Sequence, residues 1–458
     1  MASTCRTRSR TRCLASLVLP FLLFFSSLLY QSTKRSVLDI AVREEAATGR
    51  LRLVVDRAAA AGEANASVTA DAIVAQASDV AAVATEAAAD GDAKVVTDEP
   101  PVPAAAASAV GAEVRTEEPR GSDAAATAGS GTDGEADTNA VVFDFRPYVL
   151  VYKSGRVHRF HGTDTVPPGV DAPTGVASKD VVAGAGGVTA RLYMQPKSRR
   201  KGEKRRRKLP VLLYFHGGAF VIESAFSPLY HAFLNILASK AGAVAVSVNY
   251  RLAPEHPLPA AYDDAWVALR WTVSNCLSGP EPWLAEHGDA ARVFLAGDSA
   301  GGNIAHNLAV RAGAERPLPG GAAIASVALL NPYFWGKEPV GSEPGERWAR
   351  DGLEQTWALV CGGRFGIDDP RVNPLAAPGA WRAMAGERVL VTIAGLDSFR
   401  DRAAAYAAGL RRSGWRGEVE TYVTEGEAHV HFVGNPRSDK AERETDKVAE
   451  FVAGRGRD

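Results

Sequence analysis

Net charge is almost missing from this 458-residue chain: 52 lysines and arginines stand against 53 aspartates and glutamates, leaving −1. No overall electrostatic case for a nucleic-acid partner follows, because phosphate binding draws on a cationic face. Cysteine is scarce. Cys5, Cys13, Cys276 and Cys361 show no metal-ligand spacing and make no disulfide framework. A reducing compartment suits them, with one buried pair left open. Methionine is scarcer still. After Met1 come only Met194 and Met384, so no internal start gives an intact domain beginning near residue 140. With 44 glycines and 26 prolines the chain is neither collagen-like nor low-complexity throughout. Aromatic residues are all but absent between about residues 58 and 140. That Ala-rich, mildly acidic stretch cannot offset its ordering entropy by burial.

What is present divides the chain into three. Residues 1–35 form a leader: Arg6, Arg8, Arg10 and Arg12 precede a 17-residue apolar run from Leu14 to Tyr30. The run is at the short end of the roughly 17–25 residues of a membrane span. No small-x-small cleavage site follows, so the expectation is a signal-anchor, with membrane attachment through residues 14–30 and the Arg-rich end in the cytosol. The rival is an organelle transit peptide, since the first thirteen residues are rich in Ser, Thr and Arg and lack acids. Without either, the compartment is cytoplasmic. Residues 36–140 are expected to be a disordered tether; its Asn65-Ala66-Ser67 sequon matters only if it is lumenal.

From residue 141 to 456 the character changes. Short apolar runs alternate with amphipathic stretches, which points to α/β architecture: an open, mostly parallel sheet with helices on both faces. Strands are expected at "TARLYMQ", "LPVLLYF", "GAVAVSVNY", "ARVFLAG", "IASVALLNP", "RVLVTIAG" and "EVETYVTEG". The basic run "SRRKGEKRRRK" between the first two is expected to be a solvated hairpin loop rather than a nuclear signal.

Gly297-Asp298-Ser299-Ala300-Gly301 fits G-x-S-x-G, a pattern such a chain meets by chance roughly one time in four. Its setting raises its weight. A strand ending at Ala296 and a helix beginning near Gly301 would force a sharp turn that only small neighbours allow, with Ser299 held outward at a helix N-terminus. A second constellation, "YFHGGAF", also follows an apolar strand. Backbone N–H groups can approach an oxyanion where side chains are missing, which nominates Gly217 and Gly218, joined by Ala300. His216 is expected to shape this loop rather than to act as base.

A serine needs a base, and the base an orienting acid. In this architecture the order is Ser, acid, His, which leaves only His429 and His431. Asp397 lies just past an apolar strand; Asp401, the alternative, is expected within the following helix.

Together "HGGAF", "GDSAGGN", "GLDSFRD", "EGEAHVHF" and "VSVNYRLAPEHPLPAAYDDAW" resemble the plant carboxylesterases, in the hormone-sensitive-lipase-like branch of the α/β-hydrolases. The resemblance covers about residues 140–455. It implies an α/β-hydrolase fold, capped by the N-terminal segment and an insertion. It also implies Ser299 as nucleophile, Asp397 as acid and His429, which follows "EGEA", as base. The expected partner is a small-molecule ester, and no metal or organic cofactor is implied. Two alternatives stand beside a serine esterase. One is a small-ligand binding protein similar to the gibberellin receptors, which lack the histidine; the other is a dehydratase or acyltransferase on the same fold. Substrate choice would rest on the cap, where Tyr333, Phe334, Trp335, Trp348 and Trp357 either line an apolar pocket or form cap core.

Overall fold

The computed structural model describes residues 38–44, 51–57, 139–196, 208–315 and 317–454. The leader, most of the tether and the bulk of the basic run therefore lie outside the described residues. Among the described residues no helix is long and apolar enough to cross a membrane.

Residues 35–135 form a unit of their own. In it β1 (Leu38–Glu44) pairs antiparallel with β2 (Leu51–Arg57), in a register running from Leu38 opposite Arg57 to Glu44 opposite Leu51. This hairpin stands where the sequence suggested tether. Alternating apolar and polar residues, with valines among them, suit both segments to strands.

The second unit carries the chemistry. A small antiparallel sheet comes first, from β3 (Val141–Phe145), β4 (Val149–Tyr152) and β5 (Val157–Arg159). The main sheet has nine strands. They are β6 (Val170–Asp171), β7 (Val176–Val182), β8 (Thr189–Met194), β9 (Leu209–Phe215), β10 (Val244–Asn249), β11 (Gly288–Asp298), β12 (Ile324–Leu330), β13 (Arg388–Ala394) and β14 (Glu418–Thr424). Their spatial order is β14-β13-β12-β11-β9-β10-β8-β7-β6. The six strands from β14 to β10 are parallel, and β8, β7 and β6 continue antiparallel.

This order corrects the expected hairpin. β10 lies between β8 and β9, so the basic run joins strands that do not pair. β9 is buried on both faces, and a doubly covered parallel strand takes a central place whatever its sequence neighbour.

Alternation along the strands sends residues to two cores. Val211, Leu213 and Phe215 face one side, with α2 (Ala260–Ser278), α4 (Ala300–Ala314) and α6 (Arg400–Arg412). Leu212 and Tyr214 face the other, with α1 (Pro228–Ala241) and α8 (Asp439–Ala453). The short helices α3 (Pro282–His287) and α7 (His431–Gly434) and the insertion helix α5 (Arg347–Val360) complete the unit. Cys276 and Cys361 are buried and free, so the pair left open by the sequence is not formed.

Packing is very close between the end of β9 and the start of α4. A methyl group on Gly301 would run into the carbonyls of Phe215 and His216, and one on Gly297 into Gly301. Both obstacles are backbone and cannot swing aside. Gly301→Ala should therefore destabilise the protein by ~1–3 kcal/mol or more, read as a lower urea midpoint at unchanged slope.

Candidate active site

The parallel strands β9, β11, β12, β13 and β14 all present their C-terminal ends to one edge, where ligands bind in open α/β sheets. β11 runs two residues further than the sequence suggested, and α4 starts at Ala300. Only Ser299 separates them. It sits at φ 51° and ψ −118°, a conformation costing ~1–3 kcal/mol for a residue with a side chain. Three backbone bonds hold it there. Its N–H donates to Leu330 O at 2.9 Å, and its carbonyl accepts from Asn303 at 3.1 Å and Tyr333 at 2.9 Å.

His429 reaches both sequence-predicted partners. Ser299 Oγ lies 2.8 Å from Nε2, and Asp397 Oδ2 lies 2.7 Å from Nδ1. A buried carboxylate accepts, so Nδ1 carries the proton and Nε2 is left to accept from the serine. The second oxygen of Asp397 accepts the Phe399 N–H at 2.9 Å. Burial alone would push the His429 pKa down, but the charge and hydrogen bond of Asp397, helped by the Asp298 charge, outweigh it and hold His429 above its ordinary value.

The alternatives fall away by position. Asp401 is spent on Arg400 and the Ser342 N–H, which hold its carboxyl well below the usual range. His431 is buried with its Nε2 3.5 Å from Glu444.

The "HGGAF" loop leaves β9 beside the turn. Phe215 pairs with Gly297, so residues two or three further along each strand fall side by side. One nominee is corrected here. The Gly217 N–H already donates to Tyr230 Oη at 2.7 Å and is not available to a substrate. The amides of Gly218, Ala219 and Ala300 have no acceptor among the described residues. Ala219, overlooked in the sequence, offers a free amide next to that of Gly218 and is held at φ 51°. The small third residue of "GGA" was the available signal.

Matching against known families places residues 212–433 in the alpha/beta hydrolase fold. A 2-hydroxyisoflavanone dehydratase of Glycyrrhiza echinata is 45% identical over 316 residues, which cover 67% of this chain and 94% of that one. The chain belongs to the α/β-hydrolases, among the plant carboxylesterases. Probable carboxylesterase 4, mitochondrial, of Arabidopsis thaliana is 42% identical, over 69% of this chain and 85% of that one. Tuliposide A-converting enzyme 1, chloroplastic, of Tulipa gesneriana is 44% identical, over 69% and 78%. A solved mutant of esterase rPPE, 23% identical, shares the fold with a TM-score of 0.51 over 63% of this chain and 85% of that one.

The remaining residues of this carboxylesterase-family site are supports. His216 stacks on Tyr250 at 4.2 Å, and its Nδ1–H donates to Gly217 O at 2.8 Å. Burial pushes its pKa down to about 4, so it stays neutral and shapes the loop. Asp298 is buried behind the turn. Its two oxygens accept from Tyr214 and Tyr230, each at 2.7 Å, while burial pushes its pKa up to about 6. Asn331, unmarked in the sequence, accepts the Val430 N–H at 2.9 Å and so fixes the turn after His429. Tyr333, Phe334, Trp335 and Trp357 are all buried in core, and the Trp348 side chain lies outside the described residues.

Tyr230 thus links three parts: it accepts from the loop and donates to Asp298. Tyr230→Phe leaves the Gly217 amide unsatisfied and Asp298 with one tyrosine. Stability should fall by about 1–3 kcal/mol, measured by urea denaturation, and turnover should fall with it.

Proposed function

We propose that this carboxylesterase-family hydrolase cleaves small carboxylic esters through an acyl-enzyme on Ser299. The observation that carries the reading is His429 bonded on both ring nitrogens, to Ser299 and to Asp397. Ser299 Oγ attacks the ester carbonyl carbon as His429 Nε2 takes its proton. Asp397 holds the imidazole in the correct tautomer and stabilises the imidazolium. The carbonyl oxygen becomes an oxyanion, and the free amides of Gly218, Ala219 and Ala300 donate to it. Each such donor is worth roughly 10²–10³ in turnover. The imidazolium then gives its proton to the leaving alcohol as the C–O bond breaks. Water, deprotonated by the same nitrogen, attacks the acyl-enzyme, and the acid leaves with Ser299 restored.

The intact His429 argues against a binding protein similar to the gibberellin receptors. One relative is named a dehydratase, which supports elimination as the second reading beside acyl transfer on the same fold. Both would use the same histidine as base, and analysis of the products separates them from hydrolysis. Two relatives are named mitochondrial and chloroplastic, which favours import over anchoring for residues 1–35. A fluorescent fusion confined to the endomembranes would defeat that preference.

Ser299→Ala should abolish p-nitrophenyl acetate hydrolysis, a loss of roughly 10⁶ in turnover, with the fold intact by circular dichroism. Hydrolysis at the wild-type rate would refute the assignment. The base must be unprotonated, and its pKa lies above the ordinary value of 6.5. The kcat/KM profile should therefore rise with pH through an inflection above 6.5. Asp397→Asn removes the main raising influence. Turnover should drop by ~10⁴, and the inflection should move to lower pH.

A further inference from the structure

The insertion between β12 and β13 buries two charged side chains against a third on α6. Glu343 lies on the segment 336–346, Arg350 on α5 and Arg402 on α6, with exposures of 7%, 4% and 2%. Arg402 grips Glu343 with two bonds, Nε to Oε1 at 2.8 Å and Nη2 to Oε2 at 2.6 Å. It also donates to Glu338 O at 2.8 Å. Arg350 approaches the same carboxylate at 3.5 Å and donates to the carbonyls of Pro344 and Gly336. Both guanidinium groups lie over the Trp335 ring, 4.5 Å and 5.5 Å from its centre.

A buried ionic cluster is weak evidence for stability, since apolar packing does as well or better. Its position suggests another use. Arg402 follows Asp397 by five residues, and a second, outer tie repeats the link. Asp401 Oδ2 accepts the Ser342 N–H at 2.5 Å, and Arg400 donates to Ser342 Oγ at 2.6 Å. The fit is close: a methyl on Gly341 would strike Asp401, and one on Gly336 would strike Arg402 and Asn373. The tie also reaches the imidazole. Trp335 meets Phe399 edge-on at 5.9 Å, and Phe399 meets His429 at 5.2 Å. The Phe399 N–H binds Asp397 as well.

We propose that the segment 336–346 acts, through Glu343 and Ser342, as a positioning clamp on the loop that carries Asp397, so that the insertion sets the alignment of Asp397 with His429. The clamp rests on the esterase reading above. Neither Glu343 nor Ser342 is given contact with substrate; both act through the loop.

The test is Glu343→Gln, which keeps the shape and removes the charge. Misalignment should lower kcat roughly ten- to hundredfold with KM little changed. The acid limb of the pH profile should move to lower pH as Asp397 loosens its hold on His429. The low-field proton resonance of the Nδ1–H bond, recorded without substrate, should broaden or vanish. A folded Glu343→Gln protein with wild-type kcat, acid limb and low-field proton would overturn the clamp, whatever its melting temperature. Should that variant fail to fold, Asp401→Ala cuts the outer tie at a more exposed site. It should give a smaller change in the same direction, and wild-type values in it would equally overturn the proposal. Because the proton signal needs no turnover, a failure of the clamp is distinguishable from a failure of the esterase reading, which Ser299→Ala decides.

Discussion

One imidazole bonded at both nitrogens is the constraint around which this domain is arranged. His429 follows β14, Asp397 follows β13 and Ser299 follows β11. Three loops from three strands must deliver atoms to within hydrogen-bond distance of one ring. A parallel sheet makes that feasible, because successive strands end at the same edge and the register fixes how far each loop has to reach. The ring is served from behind as well. Asn331, just past β12, accepts the amide that follows the histidine, so the strand between those of the serine and the acid also contributes.

The same edge collects the backbone strain of the molecule. Among the described residues, the non-glycine residues with positive φ are Ala219, Phe220, Glu223, Ser299, Asn331 and Val430. All follow the C-terminal ends of β9, β11, β12 or β14. At ~1–3 kcal/mol each, such residues persist only where their surroundings over-determine them. The surroundings do so here with specific bonds: Ser299 by Leu330, Asn303 and Tyr333, and Val430 by Asn331. The central strands beneath, β9, β10, β12 and β13, are buried on both faces and form the base against which the loops are bent.

Much of this was legible in the sequence because it is local or ordered along the chain. The glycines around Ser299 announce a tight turn. The Ser-acid-His order reduced nine histidines to two, and the strand before Asp397 singled it out. What was not legible depends on partners distant in sequence. Gly217 looked available because nothing in "HGGAF" reveals that Tyr230, on α1, has taken its amide. The basic run looked like a hairpin because β8 and β9 are adjacent in sequence, whereas β10 enters between them in space. Glu343, Arg350 and Arg402 carried no mark in the sequence, since burial of a charge is set by what folds over it.

Asp298 shows how the two kinds of information meet. Its place in the motif is local, but its role comes from the tyrosines of β9 and α1. A buried carboxylate is costly unless its lone pairs are filled. Tyr214 and Tyr230 fill one oxygen each, and Tyr230 passes the order on to the loop amide at Gly217. The residue before Ser299 is therefore tied through Tyr230 to the loop that carries the amides of Gly218 and Ala219. Its negative charge also adds to that of Asp397 in favouring the protonated imidazole. The turn at Ser299, the loop at Gly217 and the His429 imidazole are thus all influenced by this one side chain, buried at the end of β11.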